Sequence, residues 1–408
     1  MFYGWWVVVA CFVIWFYHGG SVVLGFTAFF EPIAQEFGWS YTQISLAASL
    51  RGAEVGMLAP LVGMVIDRWG TRRLVTIGLM LSGLGLVLMS RTNSLGMFYA
   101  AFALIALGTT GISPTVFMTV IANWFRKRVG LATGIISCGF ALGGLLIPVV
   151  VRLIDVLGWR NAIFALGVGT WVIALPFSLM VRHRPEQYGL LPDGERQLPP
   201  SADRPALPVI EEVSIGVKEA VTGRAFWHIT LAMMFVFLPI SALQIHVMPY
   251  LSSIGIPRET SGLVASAIPL AGVLGRLSSG YLTDRYDKKK VAGVFFLMTA
   301  VGLLVFNYVT AALAWLFIPF IVFYAVGSGS NSTLRVTLMR EYFGRRRFGT
   351  IFGFMMGMMA LASIGGPLLA GWIYDTFGSY HATWIIFTIL VFMALLIIYT
   401  LPPARNAK

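Results

Sequence analysis

Stretches of about twenty mostly apolar residues recur along nearly the whole chain, and that is the length at which an α-helix crosses ~30 Å of hydrocarbon. We read twelve of them, at 5–30, 43–66, 74–90, 95–121, 129–152, 160–181, 226–250, 260–283, 291–308, 313–340, 348–373 and 380–401. Membrane β-strands are excluded, because they would be shorter and would alternate. Composition agrees, since 58% of the 408 residues are hydrophobic and 11% charged, against roughly 45–50% and 25% in soluble domains. The opening "MFYGWWVVVACFVIWF" lacks a basic start and a small-residue cleavage site, so it reads as the first span and not as a signal peptide. The fold class expected is an all-α membrane protein of twelve transmembrane helices.

Lysine and arginine collect on the cytoplasmic side of membrane proteins. The loops on one side of the expected spans hold 21 of them, against 4 (Arg91, Arg152, Arg160, Arg258) on the other. Both termini are therefore expected in the cytoplasm, in a multi-pass protein of the plasma membrane, the inner membrane if the source is bacterial. The net charge of +12 needs no nucleic acid; a basic inner surface on anionic lipid accounts for it. The two cysteines, Cys11 and Cys138, lie in expected spans and define neither a disulfide framework nor a metal site. No HExxH, GxSxG or GxxxxGK[ST] pattern occurs, so nothing supports an enzyme, a cofactor or a metal.

The segment 182–225, with "RHRPEQYGLLPDGERQLPPSADRPALPVIEEV", is rich in proline and charge and cannot span a bilayer. Apart from a short amphipathic helix near "SIGVKEAVTG" it reads as a cytoplasmic linker between two six-helix bundles, 1–181 and 226–408. The halves match in three ordered places. "GMVIDRWGTRR" at 63–73 pairs with "GYLTDRYDKKK" at 280–290, setting Asp67 on Asp284 and Arg68 on Arg285. "WFRKRVGLATG" at 124–134 pairs with "YFGRRRFGTIFG" at 342–353, and "LIDVLGWR" at 153–160 with "IYDTFGSY" at 373–380. A duplicated six-helix unit is the build of a two-domain transporter.

The run "GMVIDRWGTRR" resembles the signature loop between the second and third helices of the major facilitator superfamily, and the likeness extends over essentially the whole chain. Within that superfamily, "YGWWVVVACF", "FGWSYTQISLAASL" and "NWFRKRVGLATGIISCG" are similar to monocarboxylate and oxalate/formate-type porters. The resemblance implies two pseudo-symmetric bundles working by alternating access, with helices 1, 2, 4, 5, 7, 8, 10 and 11 facing a central cavity and 3, 6, 9 and 12 facing lipid. It also implies that the loop charges Asp67, Arg68, Arg72, Arg73, Asp284 and Arg285 latch the cytoplasmic side and then separate. A positive-inside anchor explains the basic residues equally well, but not the repeated aspartates.

Arg276 stands eight residues before Asp284, so it sits ~12 Å above the inner end of the eighth helix. A charge at that depth costs at least ~2.5–3.5 kcal/mol and faces a wet cavity or a partner. No acid lies within one turn of it, and a guanidinium there suits a bidentate carboxylate. The alternative ties it to backbone carbonyls or to an acid on another helix. In the porters it resembles, an arginine of the eighth helix binds the substrate carboxylate. Human-type members place an acid one turn before it, where this chain has Gly272, so any proton must bind elsewhere.

Arg335 lies eight residues before Phe343, at a similar depth, with Asn331 one turn away and the hydroxyls of Ser330 and Thr333 beside it. Two arginines at one depth invite a dianion; a role for Arg335 at the gate or at a helix end is the competing reading. Arg51 and Glu54 are three residues apart on one helix face. A desolvated Glu54 would carry a proton, or the pair is a plain internal salt bridge. His246 titrates in the right range to relay protons or is a satisfied interfacial histidine. Tyr17 and His18, beside Gly19 and Gly20, are cavity candidates, and Asn123 and Trp124 are gate or interface residues.

The function expected is secondary active transport of a small organic anion, a monocarboxylate by preference, moved with a proton by a monomer. An anion or dicarboxylate exchanger of the oxalate-formate type is the alternative. A multidrug exporter of the same fold would call for more buried acid than Glu54 alone.

Overall fold

The computed structural model describes residues 2–39, 43–44, 58–194 and 216–402. Arg51, Glu54 and most of the expected second span lie outside the described residues. Those described form helices joined by short turns: α1 Tyr3–Leu24, α2 at 58–69, α3 Thr71–Ser90, α4 Leu95–Trp124, α5 at 129–157, α6 at 159–178, α7 Arg224–Ser253, α8 Arg258–Arg285, α9 Lys288–Asn307, α10 Ala311–Phe343, α11 Phe348–Phe377 and α12 His381–Tyr399. Ten stretches among the described residues are long and apolar enough to cross a membrane. One of them, Val129–Ser178, holds two expected spans, separated where Gly158 turns to φ 76°. Only glycine adopts that conformation without strain. The short helix expected within the linker is present at Val217–Thr222.

Exposure follows helical period. On α3, Ile77, Met80, Leu84 and Leu88 are exposed, and on α12 Ile385, Ile389, Phe392 and Leu396. Spacings of three and four put each set on one helix face, which suits the lipid-facing role expected of these two helices. Cys11 and Cys138 are buried free thiols, as packing residues should be.

The chain divides into two compact units. The first gathers 1–126, 135–212 and 348–354; the second gathers 127–134, 213–347 and 355–408. In the first unit, Arg160 at the start of α6 donates to the carbonyls of Ser90 and Thr92 and pairs with Glu36 at 2.7 Å. Hydrogen bonding from Arg160 holds the Glu36 carboxyl below its ordinary range. The Arg182 guanidinium stacks between the rings of Tyr3 and Tyr188, 4.0 Å from each centroid. Trp124 Nε1 donates to the Arg182 carbonyl at 2.7 Å, so the first residues of the linker are fastened to α1 and α4. In the second unit, an aromatic cluster of Tyr250, Phe306, Phe320 and Trp384 joins α7, α9, α10 and α12.

Helices meet backbone to backbone where both sides are small. A methyl group on Gly108 of α4 would lie 2.5 Å from Ser82 N and 2.6 Å from Gly78 O of α3, whereas one on Gly96 would meet nothing within 4 Å. Gly108→Val should therefore destabilise the protein by about 1–3 kcal/mol through overpacking, seen as a lower unfolding temperature in detergent, while Gly96→Val leaves that temperature unchanged.

Candidate functional site: intramembrane arginines and capped helix ends

The duplicated loops place their aspartates on helix amino ends. Asp284 ends α8, and its two oxygens accept from the N–H groups of Gly130 at 2.7 Å and Leu131 at 2.9 Å, in the first turn of α5. Asp67 ends α2, and its Oδ2 accepts from Thr350 N at 3.1 Å and Thr350 Oγ1 at 2.6 Å, in the first turn of α11. The first N–H groups of a helix have no partner within it, and the helix dipole favours negative charge there. Each aspartate is thus a cap supplied by another helix. The contact Asp284–Gly130 belongs to the second unit and Asp67–Thr350 to the first.

Small residues repeat beside both caps. In the second unit, methyl groups on Gly130 and Gly280 would each strike the other's backbone, and one on Gly134 would come within 2.6 Å of the Arg276 carbonyl. In the first unit, Gly63 would likewise strike Gly349, and Gly353 would come within 2.5 Å of the Ala59 carbonyl. Arg276 therefore occupies, in its repeat, the place Ala59 occupies in the other. The basic partners are outward: Arg68, Arg72, Arg73 and Arg285 are exposed, and Arg285 stacks on Tyr281 at 4.2 Å. Beside the first loop, His183 packs on Gly70, and burial, then Arg184, push its pKa down to about 4.

Arg276 is half-buried in α8, and its Nη1 lies over Gly272, 3.1 Å from where a side chain there would begin. Its carbonyl accepts from Ser279 Oγ at 3.2 Å and from Thr333 Oγ1 of α10 at 3.4 Å. One turn earlier, Gly329 of α10 packs directly on Gly272. The helices α8 and α10 thus cross where both are thinnest, which sets residues 331–335 level with Arg276. Arg335 reaches Met356 Sδ at 3.9 Å and lies 6.0 Å from the Phe237 ring. Asn331 is 4% exposed. Ser330 and Thr333, the hydroxyls anticipated beside it, bond to the backbone at Gly327 and Arg276. Ser332, not singled out from sequence, has a buried Oγ with no hydrogen-bond partner among the described residues.

The remaining candidates lie elsewhere. Tyr17 donates its hydroxyl to Leu166 O of α6 at 2.9 Å, and His18 Nε2 lies 3.2 Å from Thr109 Oγ1 of α4. Because Thr109 Oγ1 donates to Ile105 O, it is the acceptor in that pair. Both residues belong to the first unit, whereas Arg276, Asn331 and Arg335 belong to the second. His246 has both ring nitrogens engaged: Nε2 donates to Pro367 O and Nδ1 lies against Tyr380 Oη, each at 3.1 Å. Both nitrogens are thereby satisfied. Asn123 Nδ2 donates to His183 O at 3.1 Å.

The family model of the Major Facilitator Superfamily matches residues 10–277 and 240–408. The chain belongs to that superfamily; it is a multi-pass membrane transporter of a small molecule and not an enzyme. Among curated proteins it is 25% identical, over 426 residues, to "Monocarboxylate transporter 12-B" of Danio rerio, covering 100% of this chain and 88% of that protein. Of solved structures, the proton:xylose symporter XylE superposes with a TM-score of 0.75 at 13% identity, covering 98% and 96% of the two chains. The human organic anion transporter MFSD10 gives 0.70 at 14% identity, covering 97% and 99%.

If the Asp284 cap holds the first turn of α5, Asp284→Asn leaves one of two N–H groups without an acceptor. Hydrogen–deuterium exchange at Gly130 and Leu131 should then quicken by about tenfold, which is ~1.4 kcal/mol of lost capping, with exchange in α12 unchanged.

Proposed function

We propose that this protein carries a small organic anion, with a monocarboxylate as the minimal substrate, and that Arg276 anchors the carboxylate. One observation carries the reading: a guanidinium stands within an apolar span, held at the thin crossing of α8 and α10 with its Nη1 over Gly272. A planar fork of donors within an apolar span matches a carboxylate in geometry and charge, and ionisable side chains placed there commonly mark a substrate pathway. The monocarboxylate transporters to which the whole chain is similar support the same substrate class.

In this reading the anion completes Arg276, and the aspartate caps on α5 and α11 release and re-form as the carrier alternates between the two sides. The caps suit that task because hydrogen bonds to a helix end can be exchanged for water when the helices part. Both termini and the capped ends lie on the cytoplasmic side of the plasma membrane, and the carrier works as a monomer. The proton enters with the anion and is carried by Glu54, with Arg51 beside it; His246, with both nitrogens engaged, holds α7 to α11. His18 stays a candidate site residue within the first unit, and Tyr17 holds α1 to α6.

Arg276→Gln should reduce carboxylate uptake in proteoliposomes to background while the protein still inserts and elutes as a single species; full uptake by this variant would remove the proposal. Glu54→Gln should leave exchange of carboxylate in place but abolish its stimulation by an inward proton gradient, measured with labelled substrate at matched and unmatched pH. A pH dependence equal to that of the parent would clear Glu54 of the coupling role.

A further inference from the structure

Helix α10 holds a cluster of polar atoms that the first anchor does not use. Both side-chain atoms of Asn331, Ser332 Oγ and Arg335 Nε are buried and have no hydrogen-bond partner among the described residues. Each such atom costs on the order of 1–3 kcal/mol, and native proteins keep few of them. Others are scattered through the described residues, but these four fall within five consecutive positions. The neighbours of Arg335 relieve it only weakly: the Met356 thioether is a poor acceptor, and the Phe237 ring at 6.0 Å is at the outer limit of a cation–π contact.

The cluster has a defined height. Gly272 packs on Gly329 and Arg276 O meets Thr333 Oγ1, so α8 and α10 advance in the same direction. Asn331 and Arg335 each lie two residues from Thr333, hence within about 3 Å of the level of Arg276 along the axis. Arg276 and Arg335 belong to one unit. A monocarboxylate on Arg276 leaves the second guanidinium uncompensated in a low-dielectric setting, where an unneutralised charge is most costly.

We propose that Asn331, Ser332 and Arg335 form a second carboxylate-binding subsite level with Arg276, which makes short dicarboxylates the preferred substrates. The inference rests on the reading of Arg276 as the first anchor. The second carboxylate accepts from Arg335 Nε, Asn331 Nδ2 and Ser332 Oγ, and a water entering with the anion serves Asn331 Oδ1. Two negative charges then meet two positive ones.

The test is a binding series on purified protein in detergent, with acetate and propionate set against malonate and succinate. For the parent protein, dicarboxylates should bind at least tenfold more tightly than monocarboxylates. That ratio should fall to near one in Arg335→Gln and drop several-fold in Asn331→Leu; the second variant keeps the test decisive should the first fail to fold. A parent ratio of one or less, or a ratio that survives both substitutions, overturns the subsite, and hydration alone then accounts for the cluster. Binding of neither class by the parent protein overturns the carboxylate reading of Arg276 itself and the subsite with it.

Discussion

Close approach of helix backbones is the constraint on which the rest of this structure depends. In hydrocarbon there is no hydrophobic drive to press one helix on another, so association relies on packing at small residues. Gly130 on Gly280, Gly63 on Gly349 and Gly329 on Gly272 are such contacts, and each sits beside a functional group. The first two bring a helix amino end within reach of Asp284 or Asp67. The third sets α10 against Arg276. A side chain at any of these glycines would part the helices and remove the polar contact along with the apolar one.

Charge is handled differently at the helix ends and within the spans. At the ends, each aspartate accepts from backbone donors that a helix always leaves over, joined at Asp67 by the Thr350 hydroxyl. Within the spans, the polar side chains mostly return to their own helices: Thr283 bonds Ser279 O, Thr337 bonds Thr333 O and Ser330 bonds Gly327 O. Arg335, Asn331 and Ser332 do not follow that habit. Their departure is the basis of the second subsite proposed on α10.

The pseudo-symmetry is carried through to the contacts but not to every side chain. Asp67 and Asp284, Gly63 and Gly280, Gly134 and Gly353 perform the same tasks in the two repeats. At the equivalent positions 59 and 276 one repeat has alanine and the other arginine, although the carbonyls of both face a glycine of the partner helix. The backbone contact is common property; the side chain is free to differ, and the two repeats use that freedom to place the cation in one only.

The sequence by itself determined the apolar stretches, the repeat and the spacing of each charge from a helix end, because hydropathy, repeat offset and helical rise are local or additive quantities. Arg276 and Arg335 were legible for that reason, as were the paired aspartates. It did not determine partners. That Ser330 and Thr333 turn to the backbone while Ser332 does not, that Tyr17 bonds Leu166 and that His246 has both nitrogens engaged follow from the rotation of each helix about its axis against its neighbours. Such rotation is settled by side chains distant in sequence meeting at a crossing, and only the tertiary structure decides it.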